Sequence, residues 1–305
     1  MIDFIFRRTL YSLLAIIGLF TLVFFLVRLT GDPAMLLLPL DASQEVRDAF
    51  AARYGFDQPV IVQFGRYLLG LLQLDFGMSL RQGRSAMEAV LEAFPTTLKL
   101  AGVSMAISVT LALIVGAVAA YRPGSLFDRI ATIASLAGAT APDFWVAIVA
   151  ILIFAVQLGW LPTSGTGGFE YWIMPIAVLT IRPFGLLVQV VRGAMIAALN
   201  SPYVKTARAK GVADRQIIFV HALRNAMLPV ITVAGDLAAS LINGAVIVET
   251  IFGWPGIGRL MIDGILTRDF AIVQSAVLVA ALAILLLNIA IDMLYAILDP
   301  RIRHD

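Results

Sequence analysis

"SPYVKTARAKGVADRQIIFVHALRNAMLP", residues Ser201–Pro229, is a polar run set between two very apolar stretches. It holds five basic residues, Lys205, Arg208, Lys210, Arg215 and Arg224, and one acid, Asp214. Ser201 followed by Pro202 fits an N-cap with proline at the first helical position. Gly211 then supplies a left-handed stop. These signals predict a short helix over Tyr203–Lys210 and a second from about Asp214 to Asn225, which leads into an apolar span. Such a segment is either an inert loop on lipid headgroups or a docking helix for a soluble partner. Composition alone favours the loop.

Working outward, the 305 residues are 60% hydrophobic and only 14% charged. A soluble domain carries about 25% charged residues, so the chain is an integral membrane protein. It has no cysteine, which excludes disulfides and thiol chemistry. Its two histidines, His221 and His304, are far apart and show no metal-ligand spacing. The net charge of +2 implies no nucleic-acid surface.

A bilayer core needs about 20 apolar residues per helix. Six stretches qualify: Thr9–Leu29, Leu98–Ala120, Ile130–Leu158, Trp172–Leu199, Ala226–Ile251 and Ala271–Ile297. The expected fold is therefore all-α and polytopic. Its parts are an N-terminal transmembrane helix (1–29), an external helical loop (30–97) and a core of five further spans (98–305). The first span is longer than a signal core and lacks a small-residue cleavage site, so it is read as retained. Pro142, Pro175 and Pro183 predict kinks in the third and fourth spans.

With six spans, Arg7, Arg8, Arg122, Arg129, Arg192, the five bases of the quoted run, Arg301 and Arg303 share one side. The facing loops hold only Arg259 and Arg268. The positive-inside rule then places both termini and the quoted run in the cytoplasm. In the external loop, Ser43 reads as a helix cap, and Gly55 and Pro59 punctuate two short helices.

Catalytic patterns are missing. There is no G-x-x-x-x-G-K-[ST], no H-E-x-x-H and no G-x-S-x-G. Neither histidine lies in a span, and Asp143, Asp236 and Asp292 are single. No catalytic residue, metal site or cofactor is expected in this chain.

"YVKTARAKGV" followed by "HALRNAMLPV" resembles the signature loop of ABC-importer permeases, E-A-A-x-x-x-G-x9-I-x-L-P. Aligned on Gly211, the Glu position holds Lys205 and the Ala positions hold Thr206 and Ala207. The Ile-x-Leu-Pro positions hold His221, Leu223 and Arg224. These departures match the form of the dipeptide/oligopeptide/nickel group. "RLTGDPA" (Arg28–Ala34), "YGFDQPVIVQFGRYL", "LDFGMSL", "FPTTLKL", "LGWLPTSG" (Leu158–Gly165), "VETIFGWPGIGRL" (Val248–Leu260) and "DMLYAILDPRIR" (Asp292–Arg303) carry the resemblance along the chain.

The resemblance implies a non-catalytic permease in a bacterial cytoplasmic membrane. It would pair with a second, related permease chain, two ATPase subunits that bind ATP and Mg, and an external substrate-binding protein. Tyr203, Lys205, Thr206, Ala207, Arg208, Lys210 and Gly211 would then form the coupling helix within segment 201–225. The cargo would be di- or oligopeptides or similar small polar solutes. A nickel, metal-chelate, opine or glutathione-like solute on the same scaffold stays open, and so does a stand-alone secondary transporter or channel.

Charges inside spans are costly and mark function by default. Arg182 and Asp236 both reach mid-membrane depth, and are expected either to form an ion pair or to face a translocation path. Asn243 and Glu249 are further path candidates, although Glu249 can equally pair within the fold. Trp160 and Trp254 are expected in the outer aromatic belt. Asp143, beside Pro142, is assigned no role.

Overall fold

The computed structural model describes residues 14, 15, 17, 18, 20–22, 24, 25, 43–73, 75–79 and 81–298. Most of the Thr9–Leu29 span, the "RLTGDPA" motif and Asp299–Asp305 lie outside the described residues. The chain divides into two compact units, Met1–Pro95 with Gly256–Leu285, and Thr96–Pro255 with Leu286–Asp305.

In the first unit, α1 (Gln44–Tyr54) starts at Ser43, whose hydroxyl accepts the Val46 N–H. It ends at Gly55, in the left-handed region at φ 71°. The Gln63 side chain of α2 (Val60–Leu72) donates to the carbonyls of Phe56 and Gln58, fixing the turn between the two helices. The predicted pair of short helices and their punctuation are thus present. Two short strands, β1 (Met78–Ser79) and β2 (Arg84–Ser85), pair antiparallel. The Ser79 hydroxyl donates to Asp269, and both residues are buried. Asp269 precedes α10 (Phe270–Leu298), and the Ile272 N–H donates to its carboxylate. α9 (Ile257–Thr267) packs Ile257 with Val90, Ala276 and Val279.

α3 (Ala86–Tyr121) starts earlier than the Leu98 read from hydropathy, because Pro95 is tolerated inside it. It contributes Ala86–Pro95 to the first unit and its remainder to the second.

The second unit holds α4 (Leu126–Thr140), α5 (Asp143–Gln157), α6 (Glu170–Leu199), α7 (Pro202–Ala209) and α8 (Asp214–Ile251). The stretch Ile130–Leu158, expected as one kinked span, folds as two helices bent by 103°. The break falls where proline forces it. Pro142 lacks an N–H, and the residue before a proline is driven out of the helical region; Ala141 accordingly sits at φ −67°, ψ 128°. Pro175 and Pro183, both buried, remain inside an unbroken α6. Among the described residues, four helices are long and apolar enough to cross a membrane, or five if the bent pair is one span.

At Gly185, α6 meets the backbone of α4 with no side chain between them. A Cβ at Gly185 would run into the Ser135 carbonyl and the Ala139 amide, so only glycine permits this approach. Gly185→Ala is expected to cost about 1–3 kcal/mol as overpacking against backbone, read as a lower melting temperature of the purified chain by size-exclusion fluorescence. An unchanged melting temperature would mean the crossing opens freely.

Two apolar clusters fill the unit. One joins Ala117, Leu187, Val191, Met195, Val204, Ile217 and Ala226, and the other joins Leu100, Met174, Leu179, Ala245, Val248 and Trp254.

Candidate functional site

The quoted run folds as α7, a turn and the start of α8. Ser201 is extended before Pro202, as an N-cap should be, but its hydroxyl donates back to the Ala198 carbonyl instead of capping. At the other end, Gly211 takes φ 77°. Its N–H donates to the Arg208 carbonyl at 3.0 Å, and the Val212 N–H donates to the Ala207 carbonyl at 3.1 Å. This is a left-handed helix stop that closes the last carbonyls.

One residue seats α7. Val204 is fully buried among Ala198, Leu199, Ile217 and Ala222. Tyr203, Lys205, Thr206, Arg208, Lys210 and Gly211 are exposed, and Ala207 is half-buried. The short helix therefore turns one apolar residue inward and a basic, small-residue face outward.

Asp214, at the start of α8, ties this segment to α3. The Tyr121 hydroxyl donates to its carboxylate at 2.6 Å. The Arg208 guanidinium lies 3.9 Å from the same carboxylate, an exposed pair that adds little. Beyond it α8 runs as a π-helical turn over Ile217–Ala222 before the long α-helix. Such turns recur at functional sites because they interrupt the helical register.

At the same end of the unit, Arg192 of α6 grips Asp128 of α4 with two nitrogens, the second at 2.8 Å. Asp128 also accepts the Gly124 N–H at 2.8 Å. One turn on, the Gln189 amide donates to the Ser135 hydroxyl. Sequence reasoning missed Val204, Asp214, Tyr121 and this α4–α6 bridge. Only Arg192, placed near a span end, carried a local signal.

The intramembrane candidates separate into two groups. Asp236 and Asn243 lie on an exposed stripe of α8 with Asn225, Thr232, Ser240 and Thr250, spaced three, four or more residues apart. Asn225, Thr232, Ser240 and Thr250 satisfy themselves by bonding the carbonyl four residues back. Asp236 and Asn243 make no such bond among the described residues. A polar stripe on a membrane helix faces water or a partner, since lipid penalises it. Arg182 is exposed on α6, and no ion pair joins it to Asp236. The expected pairing is therefore absent.

Glu249 is not on the stripe. It is fully buried and accepts a hydrogen bond from the Thr97 hydroxyl at 2.6 Å. Its carbonyl accepts the Trp254 N–H, and Trp254 meets Trp172 edge-on at 4.6 Å. The Gly165 N–H donates to the Phe252 carbonyl at 2.8 Å. The Val248–Leu260 signature thus carries a buried structural node. Trp254, 2% exposed, belongs to that node and not to an aromatic belt, whereas Trp160 is exposed.

Similarity to known proteins runs along most of the chain. The family described as "Binding-protein-dependent transport system inner membrane component" matches residues 112–304, and its N-terminal companion matches residues 1–101. The chain belongs to this family. The family match makes it a multi-pass membrane protein and a transport subunit. Among relatives of this inner membrane component, an oligopeptide transport system permease protein of Haemophilus influenzae is 39% identical over 308 residues, covering 100% of both chains. The oligopeptide transport system permease protein of Bacillus subtilis is 36% identical over 316 residues, again covering 100% of both. A glutathione transport system permease protein of Salmonella paratyphi A is 35% identical over 305 residues at the same coverage. The methionine ABC transporter MetNI, in inward-facing conformations, matches in fold with a TM-score of 0.60 and 17% identity. That match covers 70% of this chain and 97% of the other.

Proposed function

We propose that this inner membrane component is one permease subunit of an ATP-driven importer for di- or oligopeptides or similar small polar solutes. The single observation that carries the mechanism is α7: a short helix seated by Val204 and stopped by Gly211, with its basic, small-residue face outward. The names of the relatives support a peptide-like cargo, glutathione included. In this reading Tyr203–Gly211 lies in a cleft of a cytoplasmic ATPase subunit, with Lys205, Arg208 and Lys210 available to acids on the rim. Two such ATPases, holding ATP and Mg, serve this chain and a second, related permease. An external binding protein delivers the cargo, and both termini of this chain are cytoplasmic.

Closure of the ATPases would move α7, and α7 moves α8 because Val204 and Ile217 share one core. The polar stripe of α8, with Asp236 and Asn243, and Arg182 of α6 would line the path. A packed core that switches between two arrangements transmits such a shift without loss.

The first test is co-purification of an ATPase with the tagged chain, which a stand-alone secondary transporter or channel would not give. The second is Gly211→Val. Nothing lies within 4 Å of a Cβ there, so the substitution acts through the positive φ alone. A β-branched residue is a strained outlier in that region, and Val should turn α7 away from its seat. Uptake and binding-protein-stimulated ATP hydrolysis should fall at least about tenfold, the equivalent of 1.4 kcal/mol, with Gly211→Asn milder. Wild-type uptake in the Val variant would remove α7 from the coupling role.

A further inference from the structure

We infer that Asp143, Arg182 and the Asn243–Gly244 step of α8 form a dipolar cargo subsite, one that takes a small solute bearing both an ammonium and a carboxylate. This rests on the importer reading and adds which side chains meet the cargo's charged ends.

The break at Pro142 is what places Asp143. Had α4 continued straight, this residue would be one more position on a long helix. Instead it opens α5, with its carboxylate turned toward α8: Oδ2 lies 3.6 Å from where a Cβ on Gly244 would stand. The carboxylate therefore rests against bare backbone. α5, α6 and α8 pack together around Ala147, Leu179 and Ala245, and Arg182, one turn along α6 from Leu179, is the opposite charge that acts on Asp143. The two do not close into an ion pair, and among the described residues neither has a hydrogen-bond partner. Asn243, the neighbour of Gly244, is exposed and likewise unpartnered.

Two opposite charges held near each other but apart are costly in a membrane protein. In lipid they would collapse together, or the arginine would reach for the headgroups. Arg182 is twelve residues from the start of α6 at Glu170, about 18 Å along a helix rising 1.5 Å per residue, too deep for its side chain to reach water at the membrane surface. What stabilises the arrangement is a ligand of matching dipole. A guanidinium receives a carboxylate, a carboxylate receives an ammonium, and an amide serves a peptide group between them. A bare metal cation would be repelled by Arg182 and an anion by Asp143, while a neutral sugar would leave both charges unmatched. Asp236, seven residues from Asn243 on the same stripe, offers the ammonium a next station about 10 Å along the helix.

The chain has no cysteine, so Ser240→Cys introduces a unique thiol in this chain, on the exposed stripe. In the assembled importer, its reaction with a membrane-impermeant methanethiosulfonate is read as a mass gain of this chain. Dialanine is expected to slow that reaction, and N-acetyl-dialanine amide, which lacks both charges, is not. Adding Asp143→Asn or Arg182→Gln should raise the dialanine concentration for half-protection about tenfold, the scale of one charge-assisted hydrogen bond. Each variant's rate without peptide serves as its own reference, and the elution profile and melting temperature of the assembled importer report its folding. Asp143→Glu and Arg182→Lys replace either variant that fails that control, and should shift half-protection less. Absence of labelling overturns the path reading of α8 itself, and the subsite with it. Labelling that dialanine does not slow, that the blocked peptide slows equally, or that the charge variants leave equally protected overturns the subsite while the path stands.

Discussion

Val204→Asp should abolish coupling while leaving the chain in the membrane. Val204 is the only fully buried residue of α7, and burying a valine contributes about 1.5–3 kcal/mol. A carboxylate at the same place has no partner within the cluster of Ala198, Leu199, Ile217 and Ala222. Leaving it buried costs several kcal/mol, so the helix gives up its seat instead. An eight-residue helix released from its packing is too short to persist alone. Binding-protein-stimulated ATP hydrolysis and uptake in proteoliposomes should therefore fall on the order of a hundredfold. The amount of chain in the membrane fraction should be unchanged, because the long spans do not depend on α7. Val204→Ile keeps the apolar contact and should stay within a factor of a few of the wild type. Full coupling in Val204→Asp would show that α7 is held by something other than its one inward side chain.

The contrast between Val204 and Gly211 shows what the sequence discloses. Gly211, Pro202 and Gly55 act through their own backbone and Ser43 through a hydroxyl bonded three residues on, so their meaning is local and can be read from a few neighbours. Val204 stands in a run of small and basic residues with no periodicity, and its role comes from α6 and α8 packing over it. The same holds for Tyr121 and Asp214, which meet across 93 positions. Proline shows the limit from the other side. Pro142, Pro175 and Pro183 look alike in the sequence. Only Pro142, exposed, breaks its helix, whereas Pro175 and Pro183 are buried and the packing around α6 keeps it continuous. Depth in the membrane could be counted for Arg182 and Asp236, but the direction each faces depends on helix rotation. Of the two expectations for them, pairing or facing a path, no pair forms, and Asp143, assigned no role from its sequence, meets Gly244 only because the break turns it there.

The Asp128–Arg192 bridge yields the other large effect. Asp128 is almost fully buried and its partner mostly so, with 4% and 26% of their side chains exposed. Buried pairs contribute little over well-packed apolar residues, but removing one partner strands the other charge and costs about 3–5 kcal/mol. Asp128 has a further reason to stay ionised in place, since it also accepts the Gly124 N–H that shapes the turn before α4. Asp128→Asn and Arg192→Gln should each lower the melting temperature of the purified chain markedly and reduce its yield. Because the bridge sits at the same end of the unit as α7, both should also lower the ATP hydrolysis stimulated by the binding protein. The double exchange Asp128→Arg with Arg192→Asp separates pairing from polarity. If the ion pair itself holds α4 to α6, the exchange should recover part of the melting temperature, though not all, because an arginine at 128 cannot accept the Gly124 N–H. Equal losses in the exchange and in the two single variants added together would show that the pair does not act as a unit. The crossing would then depend on the backbone approach at Gly185 and the Gln189–Ser135 hydrogen bond.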